Sequence, residues 1–319
     1  MKKIIITHLL IIVVMALQAQ ELPLQQYYLL NPLLLNPASA GFSNQTDIRG
    51  SFSQQWIGIA NAPSTQTLSA HTNLGKGVGI GGYFYNDVNG LNRETGIQVA
   101  GAYHIKLGEE IEFSKIRQLS FGIGIKGFQH RISLTDLTPH DYDPAVDGNE
   151  KSGSAIDFSA GVFTRYDRFF AGISVARLGA GKLSMYDDAT EPEIPVFFAG
   201  NAGYDFAILE NFILEPSVVY KLNTDNFHQT DLNIKTLFIP SDVWQYWVTI
   251  SVRNGIYEKK SSLSNLVLLL GLHYQGLMFH YAYDLGLTSL AKSHNGSHQL
   301  MIGIQLPKSR QHKLICPVM

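Results

Sequence analysis

The chain has 319 residues, of which 16% are charged and 45% hydrophobic, with a formal charge of -2. So much apolar surface excludes a disordered chain, and the slight negative charge argues against nucleic acid as a partner. Mean hydropathy is +0.02, and a single apolar run, Ile4–Leu17, approaches spanning length, which excludes a polytopic helical membrane protein. Low charge with 29 Gly, 15 Tyr, 17 Phe and 3 Trp suits a strand-rich chain whose outside faces lipid.

Residues 1–19 read as a signal peptide. Lys2 and Lys3 precede the apolar run, and Ala19 offers a small residue for cleavage. No Cys follows the run, so a lipoprotein signal is absent, and Cys316 is the single Cys. An exported chain with one Cys has no internal disulfide framework.

Residues 20–45 form an N-terminal arm, periplasmic or plugging. It carries Asn31-Pro32 and Asn36-Pro37 five residues apart, around Leu33, Leu34 and Leu35, and continues through Ala38 to Gly41. Proline disfavours helix at the residue before it, so each Asn-Pro sets an extended or turn step. Two readings stay open: a packed arm that plugs the barrel or straps its rim, and a docking segment for a partner protein. On the second, Asn31, Pro32, Leu33, Leu34, Asn36, Pro37, Ala38 and Gly41 are the contact candidates. Trp56 and Pro63, which bracket the first hairpin connection, join them.

Residues 46–306 read as strand of period two. Leu119, Phe121, Ile123 and Ile125 alternate with Ser120, Gly122, Gly124 and Lys126. Leu300, Ile302, Ile304 and Leu306 alternate with Met301, Gly303 and Gln305. One face is thus apolar and the other polar or small. The spacing predicts about 14 strands: 46–56, 64–74, 77–87, 94–108, 117–131, 152–166, 169–177, 194–207, 212–222, 229–237, 243–253, 263–274, 277–286 and 296–306. Most match the roughly 9–11 residues of a tilted membrane strand. Segments 132–151 and 178–193 are long connections, whereas Gly75-Lys76, Asp167-Arg168 and Gln275-Gly276 are tight, as in a transmembrane antiparallel β-barrel with loops on one side and turns on the other. Trp56, Tyr103, Tyr166, Trp244, Trp247, Tyr274 and Tyr283 fall near strand ends, where interfacial girdles sit. The inward faces read as Gly, Ser, Ala and Gln with few charges. Residues 307–319 are a tail beyond the last strand.

Motifs of catalysis fail on context. Gly77–Gly82 and Gly122–Gly127 both fit G-x-G-x-x-G, but a dinucleotide site needs those glycines where a strand turns into a helix. Here they lie within strands, where small residues let a plug or side chains approach the wall. His71, His280 and His298 sit in predicted strands without a nucleophile signature, so no enzyme activity and no cofactor are expected. In the acidic loop Asp141, Asp143 and Asp147 are weak Ca²⁺ candidates, because their order does not fit an EF-hand.

These pieces carry a family resemblance. QQYYLLNPLLLNPASAG at 25–41, QQWIGIANAPSTQTLSAH at 54–71, GVGIGGYFYNDVNG at 77–90 and LSFGIGIKG at 119–127 resemble the PorP/SprF family of outer-membrane proteins of the type IX secretion system. FILEPSVVYKL at 212–222 and YAYDLGLTSLAKSHNGSHQL at 281–300 extend the likeness along the chain. The resemblance implies a barrel that assists export or surface attachment of secreted proteins such as adhesins. Its implied partners are periplasmic ring components, lipoproteins, a secreted adhesin or other cargo, and outer-membrane lipid. A diffusion channel for small molecules is the alternative.

Overall fold

The computed structural model describes residues 27–43, 45–108, 116–133, 150–179, 181, 183, 185, 193–241, 243–257 and 260–307. The expected signal peptide, the tail past 307, and Asp141, Asp143 and Asp147 lie outside them.

Fifteen strands form one antiparallel sheet that closes on itself: β1 Gln45–Gln54, β2 Ser64–Gly75, β3 Val78–Asn89, β4 Asn92–Lys106, β5 Arg117–Ser133, β6 Glu150–Tyr166, β7 Phe169–Ala176, β8 Phe197–Tyr204, β9 Phe206–Leu209, β10 Phe212–Asn223, β11 His228–Phe238, β12 Trp244–Tyr257, β13 Lys260–Tyr274, β14 Leu277–Gly286 and β15 Ser297–Pro307. Every predicted strand has its counterpart. The eighth is interrupted at Asp205, so β8 and β9 are two pieces of one wall element. Both pair with β10, Gly203 opposite Ser217 and Phe206 opposite Leu214. At the break the Asp205 amide donates to the Arg168 carbonyl at 2.8 Å, and its carboxylate pairs with Arg165. The result is a closed 14-strand antiparallel barrel.

Closure runs through β1 and β15, in register from Gln45 opposite Pro307 to Gln54 opposite His298. Each strand apart from the short β9, which pairs with β10 alone, therefore finds a neighbour on both sides, the condition for placing backbone in lipid. Gln45 and Pro307 both lie at the end where β2 turns tightly into β3 and β6 into β7, so the barrel enters and leaves at its short-turn end. One connection there, residues 107–116 between β4 and β5, is longer than the turns beside it, close to the gap left between the predicted strands 94–108 and 117–131.

The alternation resolves in one direction. Ile97, Val99, Ile123, Ile125, Ile156, Ile173, Leu232, Ile234, Ile250 and Ile302 point outward and are half or more exposed. Asp47, Ser69, Gln98, Ser120, Asp157, Asp231, Gln245 and Gln299 point inward and are buried. A barrel soluble in water would carry the reverse pattern, whereas an apolar belt around a polar lumen is that of an outer-membrane barrel. Tyr103, Tyr166, Tyr204, Trp244 and Tyr246 stand exposed at the short-turn end, with Trp244 packed on Tyr274 at 4.2 Å between ring centroids.

Two expectations are corrected. Trp247 is no girdle residue. It shares a face with Gln245 and Thr249, is buried in the lumen, and packs with Leu30, Leu237, Val267, Leu269, Ala282 and Met301. The lumen is also far from poor in charge. Lys126 pairs with Asp157 at 3.1 Å, Lys235 with Glu215 at 3.7 Å, Arg253 with Asp231 at 2.9 Å and Arg49 with Asp47 at 2.6 Å. Small and neutral residues dominate the inward face as it reads along single strands, whereas the charges are scattered and mostly find their partners on a neighbouring strand, as Lys126 on β5 does with Asp157 on β6.

Candidate functional site

The lumen is filled by the arm. Residues Tyr27–Leu30 form one helical turn, α1, followed by two 3₁₀ turns, Pro32–Leu34 and Pro37–Ser39. The same device builds both turns. Asn31 and Asn36 adopt extended backbone, proline occupies the first helical position, and the Asn side chain accepts from the amide two residues on: Leu33 at 3.3 Å and Ala38 at 2.9 Å. An Asn N-cap with Pro at the next position presets such a turn.

The remaining polar capacity of the arm goes to the wall. Asn31 Nδ2 donates to Ser69 Oγ at 2.7 Å. Asn36 Nδ2 donates to the carbonyls of Val162 at 3.0 Å and Ile173 at 3.2 Å. Ser174 Oγ donates to the Leu35 carbonyl at 2.7 Å, and Asn73 Nδ2 to the Gly41 carbonyl at 3.1 Å. The Arg49 guanidinium, held by Asp47, donates to the Leu30 carbonyl. At the start of the arm the Tyr28 hydroxyl donates to Asp231, and its ring lies 4.1 Å from the Lys221 ammonium. Burial, reinforced by the Asp231 carboxylate, holds the Tyr28 phenol well above its usual range, so it remains a donor. These bonds reach β1, β2, β6, β7 and β11, on opposite sides of the barrel.

Close approach is made possible by glycines. A Cβ on Gly122 would lie 2.3 Å from the Ala38 nitrogen, one on Gly161 2.1 Å from Asn36 Oδ1, and one on Gly79 2.0 Å from the Ala40 carbonyl oxygen. Gly41 leaves the arm with φ +65°, its Cβ position 2.4 Å from the Thr72 carbonyl oxygen. Gly79 and Gly122 belong to the two G-x-G-x-x-G stretches. Apart from Gly77, which sits in the turn before β3, both stretches lie in strand, β3 and β5, with Gly79 and Gly122 against the arm.

The sequence candidates divide into two groups. Asn31, Leu33, Asn36, Pro37, Ala38 and Gly41 are buried inside the barrel, with Pro32 and Leu34 half-buried beside them. Trp56 and Pro63 stand at the opposite, long-loop end. There the Trp56 amide donates to Ser297 Oγ at 3.3 Å, and the Pro63 carbonyl accepts from the Gln55 amide at 2.8 Å. The loop 55–63 is stitched to the last connection at Ile57, whose amide donates to the Gly296 carbonyl at 2.9 Å and whose carbonyl accepts from the Asn295 amide at 2.8 Å.

Of the histidines, His280 Nε2 lies 2.7 Å from His273 Nε2, and His298 Nδ1 lies 2.7 Å from the Tyr281 hydroxyl. His71 is buried, with Nδ1 unpartnered among the described residues. A Ser–His pair not singled out in the sequence does exist: Ser120 Oγ is 2.8 Å from His104 Nδ1. Its chemistry is structural. His104 Nε2 lies 2.9 Å from the Ala40 carbonyl, so it is the protonated nitrogen, and Nδ1 accepts from the Ser120 hydroxyl. Ser120 is fully buried, which leaves its oxygen no route to a substrate.

A model of the family described as type IX secretion system membrane protein PorP/SprF matches residues 16–304. The chain belongs to the PorP/SprF family. The match runs through the arm and nearly the whole barrel. Comparison with curated protein sequences finds no match. Among solved structures, a Pseudomonas aeruginosa FadL homologue superposes with a TM-score of 0.52 at 10% identity, covering 86% of this chain and 93% of its own. The monoaromatic hydrocarbon channel TodX, as a deltaS2S3 mutant, gives 0.51 at 10% identity, covering 89% and 94%. CymD, another monoaromatic hydrocarbon channel, gives 0.50 at 10% identity, covering 92% and 95%. At such identity the likeness is one of fold, the outer-membrane barrel.

Proposed function

We propose that this PorP/SprF barrel is a non-enzymatic component of type IX secretion that assists export or surface attachment of secreted proteins such as adhesins. The observation that carries the reading is the arm, bonded across the lumen to strands on opposite sides. A barrel filled by its own chain works as a lipid-embedded scaffold with two ends rather than as a conduit. The short-turn end, where Gln45 and Pro307 meet, faces the periplasm and docks ring components and lipoproteins. The long-loop end, with Trp56 and Pro63, faces outward and meets cargo. Binding there uses extended segments and apolar side chains, not bond-making.

The test is in-cell cross-linking followed by purification of the tagged chain from outer membranes. Recovery of a secreted adhesin together with periplasmic ring components is the expected result. Recovery of nothing but lipid and barrel-assembly factors would overturn the proposal. Planar-bilayer recordings address the channel alternative: the full chain is expected to be silent, and a stable open conductance would favour diffusion instead.

A further inference from the structure

On the outer wall of β2 to β6, three successive rungs toward the long loops change character. Leu68, Phe84, Ile97, Gly127 and Ile156 stand side by side in register, and the four large side chains are exposed as part of the apolar belt. The next outward rung, two residues along each strand, is polar and neutral: Gln66, Asn86, Thr95, Gln129 and Ser154. The rung after that brings Arg93 on β4 directly opposite Arg131 on β5, with Ser152 on β6 beside Arg131. Both arginines are exposed. Like charges placed directly opposite on neighbouring strands, with Cβ atoms about 4.5–5.5 Å apart, repel one another. Arg93 Nε donates to Asn86 Oδ1 at 2.7 Å, and Arg93 makes no ion pair among the described residues. Glu94, next to it in sequence, lines the lumen instead. The lumen cations have carboxylate partners, and so does Arg117 at the short-turn end, paired with Asp167 at 2.9 Å.

Height on the wall says what meets this pair. Arg93 lies four residues beyond Ile97, about 13 Å along the strand. At the tilt of about 35–45° usual in such barrels, that is about 10 Å above the last apolar rung. The headgroup layer occupies about 5–7 Å there, and a long arginine side chain leans back into it. A soluble anion would leave the apolar rungs below unused. A molecule that meets the rungs and the arginines together is an amphiphile, with acyl chains on Phe84 and Ile97 and an anion above them. Two guanidiniums present two positive charges and two donor forks, which suit a phosphate oxygen set. A phosphomonoester, with a charge of about −1.5 to −2 at pH 7, matches them, whereas a zwitterionic headgroup brings no net charge. We infer that Arg93 and Arg131 bind the phosphomonoester headgroup of a lipid in the outer leaflet, its chains lying on the exposed wall of β3 and β4. The site rests on the long-loop end facing outward and on no secretion partner.

Native mass spectrometry of the full chain in detergent micelles tests the site, with diphosphoryl lipid A, phosphatidylethanolamine and inorganic phosphate as probes. Diphosphoryl lipid A is expected to stay bound, and Arg93→Gln and Arg131→Gln each to weaken its retention about fivefold or more. Arg117→Gln, a charge removed at the other end, is expected to leave retention unchanged. Phosphatidylethanolamine is expected to bind about tenfold more weakly, and inorganic phosphate at an equal concentration to displace nothing. Heat-modifiable electrophoretic mobility identical to wild type shows that each variant is a folded barrel. Retention unchanged in both folded arginine variants, equal retention of the two lipids, or an equal loss in Arg117→Gln would overturn the site. Displacement by inorganic phosphate would also overturn it, by showing a site for free anion. No secretion component is present, so this result and that of the pull-down fail independently.

Discussion

Gly122 and Asp231 illustrate two ways in which single residues hold the arm, one by absence of a side chain and one by charge. With its Cβ position 2.3 Å from the Ala38 nitrogen, Gly122 has no room for any substituent, and the obstacle is backbone that cannot swing away. Gly122→Val is expected to cost about 1–3 kcal/mol, the usual range for overpacking. The strain falls on the arm rather than on the ladder. Limited proteolysis should therefore show cleavage within 27–41 while the folded barrel keeps its electrophoretic mobility. Asp231 accepts from Tyr28 and from Arg253 and lies 3.9 Å from Lys221. Replacing it by Asn leaves two buried cations without their counter-charge, which costs about 3–5 kcal/mol when such a pair is broken. Tyr28→Phe removes one hydrogen bond to a charged group, worth about 1.5–3 kcal/mol, and leaves Arg253 paired. Thermal unfolding followed by loss of the heat-modifiable band should thus rank Asp231→Asn well below Tyr28→Phe, with wild type highest. At this scale the sequence was only partly legible. The parity of Gln245, Trp247 and Thr249 places Trp247 inside, and that parity was available. The partners of Asp231 and Lys126 were not, because they come from other strands at a register that local sequence does not specify.

Elements were more legible than residues. Apolar and small residues alternate cleanly through β5, β14 and β15, and tight turns carry glycine or positive-φ residues such as Lys76, Asp167 and Gln275, so their strand bounds fall close to those read from sequence. The break at Asp205 left no mark, since Tyr204-Asp205-Phe206 continues the alternation and only the Arg165 carboxylate partner explains it. The arm was half legible. Each Asn-Pro does end what precedes it, but the Asn is also a cap, so the steps become short 3₁₀ turns. An arm so tied can be removed as a unit. A chain lacking 27–41 is expected to insert and to conduct in planar bilayers, where the full chain stays silent. Silence in both would show that other segments obstruct the lumen.

For the whole molecule the decisive contact is the ladder between the first and last strands, ten residue pairs from Gln45–Pro307 to Gln54–His298. Without β15, both β1 and β14 present open backbone to lipid, where each unsatisfied group costs several kcal/mol. A chain ending at residue 296 is expected to yield no heat-modifiable species in the outer membrane, and a normal amount of folded protein would show that β1 closes onto β14. Closure as such follows from even strand number and apolar exterior, both readable in the sequence. Ladder geometry alone is compatible with cross-sections of more than one roundness, since strand number and stagger fix a circumference and not a shape. Here the arm spans the interior and bonds to β2 and β11 at one stretch and to β6 and β7 at another. It therefore acts as a mandrel: the outline of the tube is gauged from within, by a piece of chain made before the first wall strand.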